Sequence, residues 1–117
     1  MTNSNFVVEH DGRRHFVRLG DDIPVHGVMR FSELAASRAA HLAGVSPEVL
    51  HHERGAIVFR HVEGRTLEPA DIRDRATRAR VVDLIRRAHQ QIVEHIRGPV
   101  LAFWVFHVVR DYAHTLD

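Results

Sequence analysis

An arginine and two apolar side chains near the start of the sequence are the residues best suited to ligand chemistry. Asp11-Gly12 separates two alternating segments. An Asp-Gly pair in that setting is a strong signal for a two-residue hairpin turn, because both residues tolerate positive φ. The turn predicts pairing of Val7 with Phe16, which places Val7, Phe16 and Arg18 on one face. An apolar surface beside one guanidinium suits an adenine ring and its phosphates.

The basic residues of the chain are unusual in kind but not in number. The 117 residues include 16 basic and 15 acidic side chains, for a net charge of +1. All 16 basic residues are arginines, so any contact that a lysine would make with phosphate must fall to an arginine. No basic stripe or acidic tail indicates nucleic acid as a partner.

The remaining composition indicates one ordinary globular domain in a reducing compartment. Cysteine is absent, which excludes disulfides and thiolate chemistry. The longest apolar run, residues 99–106, is far too short to cross a bilayer, and the N-terminus lacks the pattern of a secretory signal. We therefore expect a cytoplasmic protein with no membrane span.

Eleven histidines raise the possibility of a metal site. His51 and His52 are adjacent, so in a strand they point to opposite faces. His107 and His114 are two helical turns apart, which is too far to bind one ion without help. We predict structural or solvated histidines and no metal ligands, and keep a histidine-rich metal binder as the third class of function.

The pattern of apolar residues and turn signals predicts an α+β domain with an antiparallel sheet of about four strands. The last two helices are amphipathic, and the apolar face of the longer one includes His89, which we expect in the core. The predicted elements are a hairpin over residues 5–19, a helix over 29–43 ending at Gly44, strands over 47–52 and 56–62 joined at Arg54-Gly55, a helical turn over 69–73, and helices over 75–96 and 103–116.

The first helix carries an acidic residue, Glu33, away from its apolar stripe. Its neighbours Ala36, Ser37 and Ala40 are small, so the helix can approach another element closely while Glu33 reaches across. Spacing alone leaves the alternative open that Arg18 is an exposed strand residue and Glu33 a solvated helix charge.

Six stretches in order resemble one known family. They are Met1-Thr2-Asn3-Ser4-Asn5, Phe16-Val17-Arg18-Leu19, Glu33, Ala43-Gly44-Val45-Ser46-Pro47-Glu48-Val49-Leu50, Phe59-Arg60-His61-Val62-Glu63-Gly64 and Arg86-Arg87-Ala88-His89. Together they resemble the N-terminal lobe of choline/ethanolamine kinase-like proteins, which are related to aminoglycoside phosphotransferases and to the wider protein-kinase-like fold. The family's two glycines before the first stretch are missing here.

The resemblance implies a role for each stretch. Residues 1–64 would form the nucleotide-binding sheet and helix, and residues 65–117 a helical segment leading toward an absent C-terminal lobe. The complete enzyme would use ATP and Mg²⁺ to phosphorylate a small alcohol such as choline or ethanolamine. The implied nucleotide-binding residues are Thr2, Asn3, Ser4 and Asn5 over the phosphates, Arg18 on the α- and β-phosphates, Glu33 orienting Arg18, Arg60, His61, Val62 and Glu63 at the adenine edge, and Val7 and Phe16 over its face.

The sequence also lacks the residues that would do the chemistry. A kinase of this type needs a catalytic Asp followed five positions later by an Asn, and the only asparagines are Asn3 and Asn5. Arg110-Asp111 is superficially similar to the catalytic pair, but position 116 is Leu. We therefore predict that this chain alone is inactive. The alternative is a non-catalytic kinase-like module that self-associates through the surface left by the missing lobe.

Overall fold

The computed structural model describes residues 3–102 and 104–116. Its elements are β1 (Ser4–His10), β2 (Arg13–Leu19), a short 3-10 helix (Pro24–His26), α1 (Arg30–Leu42), β3 (Val49–Glu53), β4 (Ala56–Arg60), α2 (Pro69–Arg73), α3 (Arg75–His95) and α4 (Val105–Leu116). The fold of the described part is α+β, with a four-stranded antiparallel sheet of strand order β1-β2-β4-β3. The coarse fold prediction is therefore confirmed.

The hairpin at the start of the sheet has the predicted register. Val7 pairs with Phe16, and the pairing runs without interruption to the turn. Asp11 and Gly12 have φ values of 50° and 67°. Two residues in the left-handed region match the right-handed twist of the flanking strands, which explains why an Asp-Gly pair fixes this register.

The other two strands form a second hairpin that lies against the first. β4 pairs with β2, and Phe16 lies opposite Phe59. The turn at Arg54-Gly55 is confirmed. The strands themselves differ from the predicted ranges 47–52 and 56–62. β3 runs from Val49 to Glu53, with a register irregularity between Val49 and His51, and β4 ends at Arg60.

Helix α1 connects the two hairpins. A residue of the preceding loop accepts a hydrogen bond from the first backbone N–H of the helix. The predicted range was 29–43, and the helix runs from Arg30 to Leu42. Its Met29 cap has no side-chain hydrogen bond. Instead, the carboxylate of Asp22 accepts a 2.6 Å hydrogen bond from the backbone N–H of Arg30. The loop before the helix thus supplies the acceptor that a polar cap residue would normally provide.

The C-terminal half of the described chain is helical, as predicted, and α3 packs against α1. Asp74 begins α3 by accepting a 2.7 Å hydrogen bond from the backbone N–H of Thr77. The prediction that His89 lies in the core is wrong, because this residue is exposed and no residue of α3 is fully buried. Within the described ranges, no helix combines the length and the apolar character needed to cross a membrane.

The chain exposes more surface than a compact monomer of its size. Its accessible surface is 9431 Å², whereas a folded protein of this mass exposes about 6,500 Å². Among the described residues, the buried apolar side chains are Ala39, Ala43, Ile57 and Phe59. The buried side chains therefore lie in the second half of α1, at its C-terminal cap and on β4.

Candidate functional site

The predicted pair of Arg18 and Glu33 is formed at the junction of β2 and α1. Nη1 of Arg18 donates a 2.7 Å hydrogen bond to Oε1 of Glu33. The side chains are 31% and 16% exposed, respectively. The interpretation in which both are solvated surface charges is therefore wrong. A charge-assisted hydrogen bond in a partly buried setting fixes the guanidinium more firmly than a surface ion pair would.

Two aromatic rings also hold the guanidinium of Arg18. Its carbon atom lies 5.9 Å from the centroid of the Phe16 ring and 5.7 Å from that of Phe59. The two rings are 6.1 Å apart, and Phe59 is only 4% exposed. Both distances allow cation–π attraction. Sequence reasoning treated Phe59 only as an apolar strand residue; its place opposite Phe16 in the sheet is the signal that could have identified it.

Arg30 is the residue of this site that sequence reasoning missed. Its guanidinium donates to Oε2 of Glu33 and, at 2.7 Å, to Oδ1 of Asn3. It also donates to the backbone carbonyl of Asp21, with distances of 3.0 Å from Nε and 2.8 Å from Nη2. The spacing of three positions between Arg30 and Glu33 in the first turn of a helix could have indicated this ion pair. Glu33 is thus shared by two arginines.

The polar residues predicted at the start of the chain are only partly gathered at this site. Oδ1 of Asn5 accepts a 3.2 Å hydrogen bond from Nε of Arg18, and Asn3 contacts Arg30. Ser4 is exposed at the start of the strand. Thr2 lies outside the described residues. The two asparagines therefore act here as acceptors that position arginines.

One of the donor groups of Arg18 makes no hydrogen bond to another described residue. Its Nε donates to Asn5 and its Nη1 donates to Glu33. Within residues 3–102 and 104–116, the Nη2 group makes no hydrogen bond. Guanidinium groups recognise phosphate through such donors. Arg18 is therefore a held cation with capacity for an anionic ligand.

A cleft of about 500 Å³ opens beside this pair. Arg18 and Glu33 line it together with the loop after β2 and the turn between β3 and β4. The side chains of the lining include three arginines and four carboxylates, so their formal charges sum to −1; the charged members are Arg18, Arg30, Arg54, Asp21, Asp22, Glu33 and Glu53. A polyanion would enter this cleft more favourably with a counter-cation than alone.

The residues predicted at the adenine edge do not line this cleft. Arg60 lies at the end of β4 and donates to Oε2 of Glu48 at 2.5 Å. Glu63 accepts a hydrogen bond from Arg14, and Nδ1 of His61 lies 3.4 Å from the same carboxylate. Val62 is 64% exposed. These residues form a separate polar group at the other end of the sheet.

The two residues predicted over the adenine face lie on the sheet face that carries Arg18. Val7 and Phe16 are direct cross-strand neighbours, which places them on one face of the sheet. Val7 is 55% exposed, while Phe16 is partly buried against Phe59. The face therefore offers an open apolar surface at Val7 that continues toward the guanidinium.

The pKa of Glu33 agrees with its position between two arginines. Burial acts to raise the pKa of this carboxyl. Hydrogen bonds from Arg18 and then Arg30, with the attraction of both positive charges, outweigh burial and hold the pKa below its ordinary value. Glu33 is thus an anion that positions two cations near neutral pH.

No protein-held metal centre is found in this arrangement. Among the described residues, no group of three or more His, Asp or Glu side chains could hold a metal ion. The described residues thus offer no preformed cage of three or more ligands for Mg²⁺, and we derive no chemical step through such an ion.

Comparisons with protein-family models, with curated proteins and with solved structures found no match to this chain. The functional interpretation therefore depends on the site itself.

Proposed function

We propose that this chain is the N-terminal, nucleotide-binding part of an ATP-dependent small-molecule kinase that resembles the choline/ethanolamine kinases. The observation that carries the proposal is the ion pair between Arg18 on a central strand and Glu33 on the helix that follows. In phosphoryl transfer the protein mainly positions phosphates and compensates their charge. A strand arginine held by a helix carboxylate and two aromatic rings is suited to that task.

The surroundings of the pair supply the other parts of a nucleotide site. The open apolar surface at Val7 and Phe16 is available to cover a base, and the adjoining cleft of about 500 Å³ has room for phosphates. Mg²⁺ enters this proposal as the counter-cation of ATP. An acceptor such as choline or ethanolamine would bind to a lobe other than this one. The backbone of residues 60–63, at the end of the sheet away from the cleft, would contact the adenine edge of a nucleotide whose base lies over Val7 and Phe16.

A titration with MgATP tests the proposal most directly. We expect the R18Q variant to lose about tenfold or more in affinity, because it removes a charged hydrogen bond to phosphate. R13Q is the matched control, since Arg13 lies on the same strand, is exposed and alternates to the opposite face of the sheet. Equal loss in both variants, or no binding by the unmodified chain, would contradict a specific phosphate contact at Arg18.

The same proposal includes the absence of turnover by this chain alone. The asparagines are Asn3 and Asn5, and both are engaged in positioning arginines. We expect no ADP release above background when MgATP is mixed with choline or ethanolamine. Turnover that co-purifies with the chain through several separations would overturn this part of the proposal.

A second candidate function is a non-catalytic module that self-associates, and the exposure of α4 favours it. Trp104, Phe106 and Val109 are 65%, 68% and 64% exposed. The hydroxyl oxygen of Tyr112 on this helix lies 3.3 Å from Nδ1 of His26, within hydrogen-bond distance. So much apolar surface on one segment is typical of an interaction site. Light scattering on the F106S variant tests this candidate: a concentration-dependent oligomer should become monomeric.

A further inference from the structure

The outer edge of the sheet is a second feature that could bind a partner. It would pair through backbone groups that the nucleotide proposal does not use, although its residue Val7 also lies on the apolar surface of that proposal. β1 is at one end of the strand order, and among the described residues it pairs only with β2. All seven of its residues are exposed. The apolar residues Phe6, Val7 and Val8 are 50%, 55% and 44% exposed.

The register identifies which backbone groups face outward. A two-residue turn is closed by a hydrogen-bonded pair, here His10 with Arg13, and hydrogen-bonded pairs then alternate along the hairpin. The backbone N–H of Gly20 donates to the carbonyl of Gly55, which places the even-numbered positions of β2 toward β4. Their partners in β1 are Asn5, Val7 and Glu9. The N–H and C=O groups of these three residues therefore point away from the sheet.

The edge carries little of the protection that is usual for such a strand. Natural edge strands are blunted by charged side chains, especially lysine, by proline or by a bulge, and β1 has one acidic residue, Glu9, close to the hairpin turn. β1 has the sequence SNFVVEH, with no lysine or proline, and its register with β2 is regular from Ser4 to His10. The strand is thus open to pairing along its whole length.

We propose that β1 pairs antiparallel with β1 of a second copy of this chain, about a two-fold axis at Val7. Val7 would lie opposite Val7 of the second copy, and Asn5 opposite Glu9. These would be hydrogen-bonded pairs, giving about six backbone hydrogen bonds across the axis. The result is a continuous eight-stranded sheet.

Side-chain complementarity favours a second copy as the occupant. Each Glu9 would lie between Asn5 of the other copy and its own cross-strand neighbour Arg14, so no like charges face each other. On the same face, the two Val7 side chains would lie between the Phe16 side chains of the two copies, and the four would form one apolar row. On the opposite face, Phe6 would lie beside Val8. A one-residue shift of register would instead place Val7 opposite Phe6 or Val8 and lose the two-fold match.

The absence of cysteine allows a register-specific test in the full 117-residue chain. In the V7C variant, the two introduced residues would have Cα atoms about 5.5 Å apart, within the range of a disulfide. In E9C they would be offset by four positions, about 13 Å, and beyond reach. Under mild oxidation, we expect V7C to form covalent dimer at least about tenfold faster than E9C. Equal rates would overturn the proposal.

A proline variant tests the backbone contact itself. Because the N–H of Val7 faces outward, V7P removes a donor that the hairpin does not use, and edge strands tolerate proline at such positions. V7A is the matched control, since it keeps the amide. In sedimentation over a concentration series, we expect the unmodified chain and V7A to dimerise and V7P to remain monomeric, with circular dichroism confirming that all three are folded.

The outcomes separate the sheet edge from the apolar helix. V109S should leave the dimer intact if it forms through β1. A chain that is monomeric at all concentrations, or a dimer lost in V109S and retained in V7P, would overturn the proposal. MgATP affinity is measured separately on the unmodified chain, so failure of the nucleotide proposal would not affect this result.

Discussion

Replacement of Glu33 by glutamine should destabilise this fold much more than the loss of a surface charge would. The carboxylate is 16% exposed and accepts hydrogen bonds from both Arg18 and Arg30. A hydrogen bond to a charged group contributes about 1.5–3 kcal/mol when it is buried. Because Glu33 is slightly exposed and glutamine keeps one acceptor oxygen, we expect E33Q to cost about 2 kcal/mol.

That cost is large enough to measure by thermal unfolding. A chain of 117 residues has an unfolding entropy near 0.25 kcal/mol/K. A loss of about 2 kcal/mol therefore lowers the melting temperature by about 8 °C. Calorimetry or circular dichroism at neutral pH and moderate salt would record it.

Glu48 offers the matched control for this experiment. It also accepts hydrogen bonds from an arginine, Arg60, but its side chain is 42% exposed. Solvent screening should leave E48Q with a melting temperature close to that of the unmodified chain. If E33Q and E48Q shift the midpoint equally, the shared carboxylate does not hold the junction of β2 and α1, and the reasoning is refuted.

Three further predictions concern acid stability, the start of α3 and the core. Because the folded chain depresses the pKa of Glu33 below its ordinary 4.5, its stabilisation is present above that pH and is lost as the pH falls through the folded pKa; acid titration of unfolding should give a flatter profile for E33Q. D74A should lower the melting temperature by a few degrees and D74N by less, because asparagine can still accept from the backbone N–H of Thr77; equal shifts would argue against capping. F59A should cost about 3–5 kcal/mol in urea unfolding, and F59L about 1 kcal/mol, because Phe59 is 4% exposed; a surface-like effect of F59A would contradict its place in the core.

The elements with local signals were predictable from the sequence. Asp11-Gly12 fixed the register that pairs Val7 with Phe16, since a two-residue turn allows no slip. Helix α1 was placed to within a residue at each end, and its end was set by Gly44, which adopts a φ of 70°. Such features depend on the conformational preferences of a few neighbouring residues.

The predictions that were wrong or missing concern contacts between distant segments. Arg30 contacts Asn3, the backbone of Asp21 and Glu33. No local sequence pattern predicts that the loop at Asp21 folds back to reach Arg30. His89 has the spacing of a core residue, but α3 has too few neighbours to bury it. The pairing of Arg18 with Glu33 was reached through a family resemblance, because spacing alone favoured two solvated charges.

The large accessible surface has a calorimetric consequence. An unfolded chain of this mass exposes about 19,000 Å², so folding to 9431 Å² removes about half of that surface, against about two thirds for a compact domain. The heat-capacity change of unfolding follows the area exposed and should be near 1.2 kcal/mol/K, compared with about 1.6 for an ordinary protein of this length. The free energy of unfolding of the monomer should consequently change little across the range of growth temperatures and pass through a shallow maximum. Denaturant should unfold the monomer over a broad range of concentration.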